Sequence, residues 1–473
     1  MQYGNHVNKI LVLLSLLFSI STFSAELPIK LSGTIEISVK NGTIDADFQL
    51  ENIPKLKNYL IFLNSGFNIQ YFRNQKDTTN YALEKAYNTK YSYESFGYYL
   101  PDDTGEGKFL PSAMQFKYTG KFPVINSMDK ASDKGDWKGN IAFNGKTIRT
   151  DGFQTAWYPI LYDIEKDKRY DELAYNIEVR CLDCKSIYVN GSKPISASYG
   201  SFKREKPVSL TLFAGDFDIG EKDGSYYLNS GLSTSQMSEL GKLTSLYEQY
   251  YQEKLSLPYG ENVVYIHTTP TSIKNSWLFV AYPAIVTINH EKGGLTNLFD
   301  ESESSWFKPF IAHELAHYYF GTYRDFNSEL GDMFSESFSE YLSLKLTKQL
   351  IDQKTYIENI DKKLSKLEDK TFTAIKDVKV KSDYGNRNRY VYTYAPIIWL
   401  AIEKEIGEEK MWSWINKMLT VETEKTDYKF MIETLNSVLN DDKKLTFLVE
   451  NYFSNKNAIN SAKTLLKESM NNS

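Results

Sequence analysis

Residues 309–321 read PFIAHELAHYYFG, and this stretch decides how the rest of the chain is read. Pro309 suits a first helical turn. His317 lies four positions after His313, so a helix puts both imidazoles on one face, where two ring nitrogens can share one metal ion. Glu314 follows the first histidine and can reach a metal-bound water without being a ligand itself. The alternative is a pair of satisfied core histidines. Only five histidines occur in 473 residues, which makes this spacing improbable as an accident.

A catalytic zinc takes three protein ligands and leaves a fourth position for water. The third ligand should lie on a nearby element, and Glu336 fits. Eighteen residues separate it from His317, enough for one helix to end, turn and send a second helix back past the first. In SELGDMFSESFSEYLSL, residues 328–344, Leu330, Phe334, Phe338 and Tyr341 supply a packing face. Glu329, Asp332 and Glu340 also carry charge there, so a solvated acidic helix is the competing reading. The spacing from the histidines favours Glu336.

Working outward, residues 26–205 have the pattern of strands. Ile35, Ile37 and Val39 alternate with polar residues, Asn41-Gly42 intervenes, and Ile44, Ala46, Phe48 and Leu50 alternate again, which predicts a hairpin. Asn144-Gly145 and Asn190-Gly191 sit in similar settings. From about residue 206, VSLTLFAGDFDI leads into a segment where Leu240, Leu243, Tyr247, Tyr250 and Tyr251 recur at helical spacing, followed by a strand over Val263–His267. After Pro309 the chain reads as mostly helical. The expected organisation is multidomain. A β-sandwich-like unit spans 25–205, an α+β unit spans 206–345, and a helical part over 346–473 completes it.

A hydrophobic fraction of 41% and a charged fraction of 24% exclude a mainly disordered chain. The formal charge of −5 argues against nucleic acid as a partner, because phosphate binding needs a basic surface. Residues 1–24 read as an export signal: Lys9 precedes the apolar run Ile10–Ile20, and Thr22, Ser24 and Ala25 follow. Removal of that segment leaves no stable membrane anchor and predicts a periplasmic or secreted protein. The only cysteines, Cys181 and Cys184, are too few for a structural zinc site. A small local disulfide is the simpler expectation, with a redox pair as its competitor.

HELAH, 18 residues, then ESFSEYL resembles the signature of the aminopeptidase N family of gluzincin metallopeptidases, which includes leukotriene-epoxide hydrolases. LYEQYYQEKLSLPYGENVVYIHTTP, residues 246–270, is similar to that family's helix and strand ahead of the active site. YTYAPIIWLAIEKEIGEEKMW, residues 392–412, is similar to its YxxGA segment and the following helix. The likeness covers roughly residues 30 to 430. It implies a thermolysin-like catalytic domain and one zinc ion per chain, held by His313, His317 and Glu336. It also implies that Glu314 deprotonates the zinc-bound water and passes the proton to the leaving amine of a peptide or protein substrate. Tyr392 takes the position of the YxxGA tyrosine that stabilises the oxyanion, with Tyr390 and Tyr394 close by as alternatives. Glu340, one turn beyond Glu336, matches a carboxylate that orients a ligand histidine.

Two departures bear on specificity. Where the family carries GxMEN, whose glutamate holds the substrate's free amine, this chain reads SWLFVAYPAIV over residues 276–286 and has no glutamate. A strict preference for free amino termini is therefore in doubt, unless a carboxylate such as Glu301 or Glu303 replaces the lost one. The chain also ends some 80 residues after Tyr392, short of the large helical domain of long family members, which predicts a more open cleft. An epoxide hydrolase using the same centre, and a cell-surface binding protein on a peptidase-like scaffold, are the competing functional readings.

Overall fold

The computed structural model describes residues 27–86, 94–127, 141–271, 277–289 and 294–471, so the signal segment at 1–24 lies outside the described residues. Alternation builds the first layer. Lys30–Ser38 and Thr43–Glu51 pair antiparallel around Asn41-Gly42, where Gly42 takes the φ of 65° that the tight turn demands. They are central in a six-stranded sheet ordered Tyr199–Ser209, Glu172–Cys181, Lys30–Ser38, Thr43–Glu51, Met114–Lys121, Phe67–Arg73. A five-stranded sheet around Ile160–Asp163 and Tyr59–Asn64 packs on the same core, in which Phe48, Phe62, Phe116, Tyr118 and Trp157 are fully buried. This is the β-sandwich-like layer.

Cys181 and Cys184 form a disulfide across the turn that ends strand Glu172–Cys181, the local bridge expected of CLDC. Between them, Asp183 accepts hydrogen bonds from Ser38 Oγ at 2.8 Å and from the Val39 and Lys40 amides at 2.8 and 3.0 Å.

A four-stranded sheet that includes Ser186–Val189 and Leu212–Gly215 joins this layer to the next. Tyr188, Phe213 and Phe217 pack there against Leu228, Ile266 and Val286 of a mixed five-stranded sheet. That sheet runs Ile219–Lys222, Ser225–Leu228, Val264–Thr268, Ala284–Ile288, Trp277–Ala281. Val264–Thr268 has parallel neighbours on both sides, whereas Trp277–Ala281 is antiparallel and forms the edge. The side chain of Asn190, from the β-rich layer, donates to the carbonyls of Ala281 and Tyr282 at 2.6 and 2.8 Å and pins the end of the edge strand.

The remaining chain is helical. Thr234–Leu255 starts with a Ser233–Gln236 capping box and buries Leu240, Tyr247 and Tyr251. Ser304–Ala316, the histidine helix, crosses Gly331–Leu346, the glutamate helix, closely enough for Ser343 Oγ to bond the Pro309 carbonyl at 2.5 Å. Pro309 is therefore not in the first turn. The helix begins five residues earlier, because burial of Phe307 and Ile311 outweighs the missing N–H of a proline in its interior. Leu330, Phe334, Phe338 and Tyr341 are all fully buried, as the spacing required. Behind the glutamate helix, Lys345 and Tyr341 both bond Glu403 of helix Ala395–Ile406, at 2.6 and 2.7 Å, in a buried ionic cluster. Among the described residues no helix is long and apolar enough to cross a membrane.

Candidate metal centre

The two crossing helices bring His313, His317 and Glu336 together. His313 Nε2 and His317 Nε2 are 3.1 Å apart, and Glu336 Oε2 lies 3.5 Å from the first and 3.3 Å from the second. Bonds of ~2.0–2.1 Å from a tetrahedral zinc place its donor atoms about 3.3 Å apart. The three atoms thus fit three corners of one coordination tetrahedron, and nitrogen and oxygen donors suit zinc. Among the described residues, the other cluster with possible donors is Cys181, Asp183 and Cys184, whose thiols are consumed by the disulfide.

Each imidazole is fixed from its far side. His313 Nδ1 sits 2.9 Å from Glu340 Oε2, and His317 Nδ1 sits 3.2 Å from the Phe320 carbonyl. Both partners only accept, so each Nδ1 carries the hydrogen and each Nε2 turns its lone pair inward. Glu340 is itself held by Lys363 at 2.5 Å, and Lys363 also donates to the Tyr392 carbonyl at 2.7 Å. Burial works against a charged His313, but its hydrogen bonds to Glu336 and Glu340 outweigh it and raise the imidazole, and a cation seated between the two Nε2 atoms would take the place of that proton. Burial likewise opposes a charged Glu336, and the two histidines hold it well below the usual carboxylate range. The cluster collects positive charge.

Glu314 is buried beside the ligands and lines the same cleft. Desolvation raises its carboxyl above the ordinary value. The histidines pull it down, while Glu336 and Glu340 add to the rise. Of the three neighbouring tyrosines, Tyr392 lines the cleft. Its ring centre is 5.8 Å from that of His313 and 5.6 Å from the Arg387 guanidinium. Tyr390 turns away to the Thr373 carbonyl, and Tyr394 is buried against Phe372. These residues form one π-helical turn, Tyr390–Tyr394, a distortion that re-aims side chains and recurs at functional sites.

The cleft has a volume of about 1280 Å³. Phe279, Val280 and Ala281 of the edge strand, with Tyr282 just after it, form one border, with Trp306 and Phe310 of the histidine helix beside them. Asp151, Asp171, Glu172 and Asp325 also line it, from segments distant in sequence. Glu301 and Glu303 are exposed and stand outside the cleft lining. Sequence reasoning missed these four carboxylates, and it missed Arg387, Lys363 and Asn190. For Arg387 a signal existed: Asp332 and Glu336 are one turn apart on one helix face, an arrangement that calls for a cation.

No family model matches the sequence, and no curated protein matches it. Solved structures do. An M1 zinc metallopeptidase from Deinococcus radiodurans, a point mutant bound to a Tyr-Ser-Ala substrate, superposes with a TM-score of 0.60 at 10% identity, covering 91% of this chain and 94% of that one. Leukotriene A4 hydrolase from Saccharomyces cerevisiae gives 0.62 at 12% identity, covering 91% and 68%. The native Deinococcus enzyme gives 0.57 at 11% identity, covering 89% and 93%. The chain has the M1 zinc metallopeptidase fold, with its β-rich amino-terminal region, catalytic unit and helical carboxy-terminal part.

Proposed function

We propose that this chain is an exported zinc-dependent peptidase, most similar in its site to the aminopeptidase N group. The observation that carries the reading is the set of three inward-facing donor atoms at tetrahedral spacing, with Glu314 on the same cleft wall. The ion, when bound, supplies Lewis acidity, which polarises a carbonyl and eases the loss of a proton from water. Glu314 takes that proton and delivers it to the departing amine. Its raised carboxyl suits both halves of the task. Tyr392 donates its hydroxyl to the oxygen on which charge develops. The edge strand lies along the cleft, so its outer backbone groups can align an extended peptide.

The Deinococcus enzyme was solved with Tyr-Ser-Ala, which makes that tripeptide a first substrate to try here. Metal analysis should find one zinc per chain, lost in a His313→Ala, His317→Ala double variant. Glu314→Gln should keep the zinc while turnover of a mixed peptide pool falls by about 10²–10⁴-fold. Parent-like cleavage by Glu314→Gln would sink the mechanism, and a full zinc equivalent in the double variant would sink the site.

A further inference from the structure

Arg387 lines the cleft beside Glu336, and its contacts are specific. Its Nε donates to Asp332 Oδ2 at 2.7 Å, and its Nη2 reaches Asp332 Oδ1 at 2.5 Å and Glu336 Oε1 at 2.9 Å. The paired bonds to Asp332 fix the plane of the guanidinium, which a lysine cannot reproduce. Glu336 is thereby divided between two tasks. Oε1 is taken by the arginine, while Oε2 alone faces the two histidine nitrogens. The same guanidinium lies 5.6 Å from the centre of the Tyr392 ring, so one side chain touches both the third donor and the tyrosine.

We propose that Arg387 is a positioning residue that makes Glu336 a one-oxygen ligand and keeps the fourth coordination position open. The inference rests on the metal-centre reading above. A free carboxylate can bind through both oxygens, and the second would occupy the place that water needs. Arg387 blocks this by engaging Oε1. It also bridges Asp332 and Glu336, two like charges at i and i+4 that would otherwise push Glu336 off its position. A simple Coulomb effect has the opposite sign, since removing a positive charge beside a cation site tightens cation binding.

The test titrates the metal-free full chain with zinc against a chromophoric chelator. Arg387→Gln is expected to weaken zinc by about 10–100-fold, the usual scale for a group that orients a ligand, and Arg387→Lys should recover part of the loss. With cobalt in place of zinc, the visible bands of Arg387→Gln should lose intensity as the carboxylate turns and coordination rises from four to five. Should Arg387→Gln fail to fold, Asp332→Asn keeps the arginine but frees it, and its zinc affinity should fall between those of the parent and a weakened site. Unchanged or tighter zinc binding in these variants, with parent-like cobalt bands, overturns the proposal while leaving the metal centre intact. A parent chain that takes up no zinc overturns both.

Discussion

On the metal side of the cleft, each ligand has a second partner that holds it in place. His313 has Glu340, His317 has the Phe320 carbonyl, Glu336 has Arg387, and the helix beneath is tied to Glu403 through Lys345 and Tyr341. The substrate side is built differently. One strand borders it, edged with apolar and aromatic residues, and its carboxylates come from three separate places in the chain, Asp151, Asp171-Glu172 and Asp325. Asp171, Glu172 and Asp325 line the cleft together, and burial and like charge raise the carboxyls of Glu172 and Asp325. Chemistry that must hold reacting atoms in place sits on the over-determined side, and selectivity falls to the side free to vary.

The largest effect that sharpens this comparison belongs to Tyr392, which reaches the cleft from the metal side. Tyr392→Phe should retain its zinc and lose about 10²–10³-fold in kcat, the cost of one oxyanion donor. An unchanged kcat would reduce Tyr392 to a packing group and leave the oxyanion to another residue.

On the substrate side the expected effect is smaller. Acetylating the amine of a peptide substrate should change kcat/KM by less than about tenfold, because the edge strand carries no carboxylate to pair with that ammonium. A lost charge-assisted hydrogen bond of ~1.5–3 kcal/mol would cost at least that factor. Strong rejection of the blocked peptide would break the comparison. It would mean that a cleft carboxylate, Asp151, Asp171, Glu172 or Asp325, holds the amine after all.

The smallest effect concerns Glu172. Desolvation pushes its carboxyl up to about 8, with Asp171 and Asp325 adding to the rise. A carboxyl raised on folding binds more protons in the native state, so its contribution to stability falls as pH climbs from about 4.5 to about 8. Glu172→Gln should therefore raise Tm at pH 9, by roughly 2 °C or less, and leave it nearly unchanged at pH 5. Thermal melts at both values decide it. An equal shift at each would show that charge at this position is not the cause.

The convergence of His313, His317 and Glu336 was legible because its information is local: a four-residue step on one helix, then a return of 18 residues to a helix whose apolar face is plain. Strand alternation around Asn41-Gly42 was equally direct. Pro309 misled because intrinsic preference yields to tertiary packing, and the burial of Phe307 extended the helix backwards past it. Tyr392 could be separated from Tyr390 and Tyr394 only in three dimensions, since one π-helical turn sends the three rings in different directions. Arg387, Lys363 and the cleft carboxylates were hidden because they act across long sequence separations, 51 residues in the case of Arg387 and Glu336.

The amide of Asn190 has a consequence for how this molecule can be dissected or re-engineered. By grasping the Ala281 and Tyr282 carbonyls, it makes the β-rich layer a supporting wall of the cleft. A fragment beginning after that layer would retain His313, His317 and Glu336 yet leave the cleft's border strand without its clasp. Grafting a foreign amino-terminal module onto the catalytic half would therefore have to reproduce this one side chain before any new specificity could be read from the hybrid.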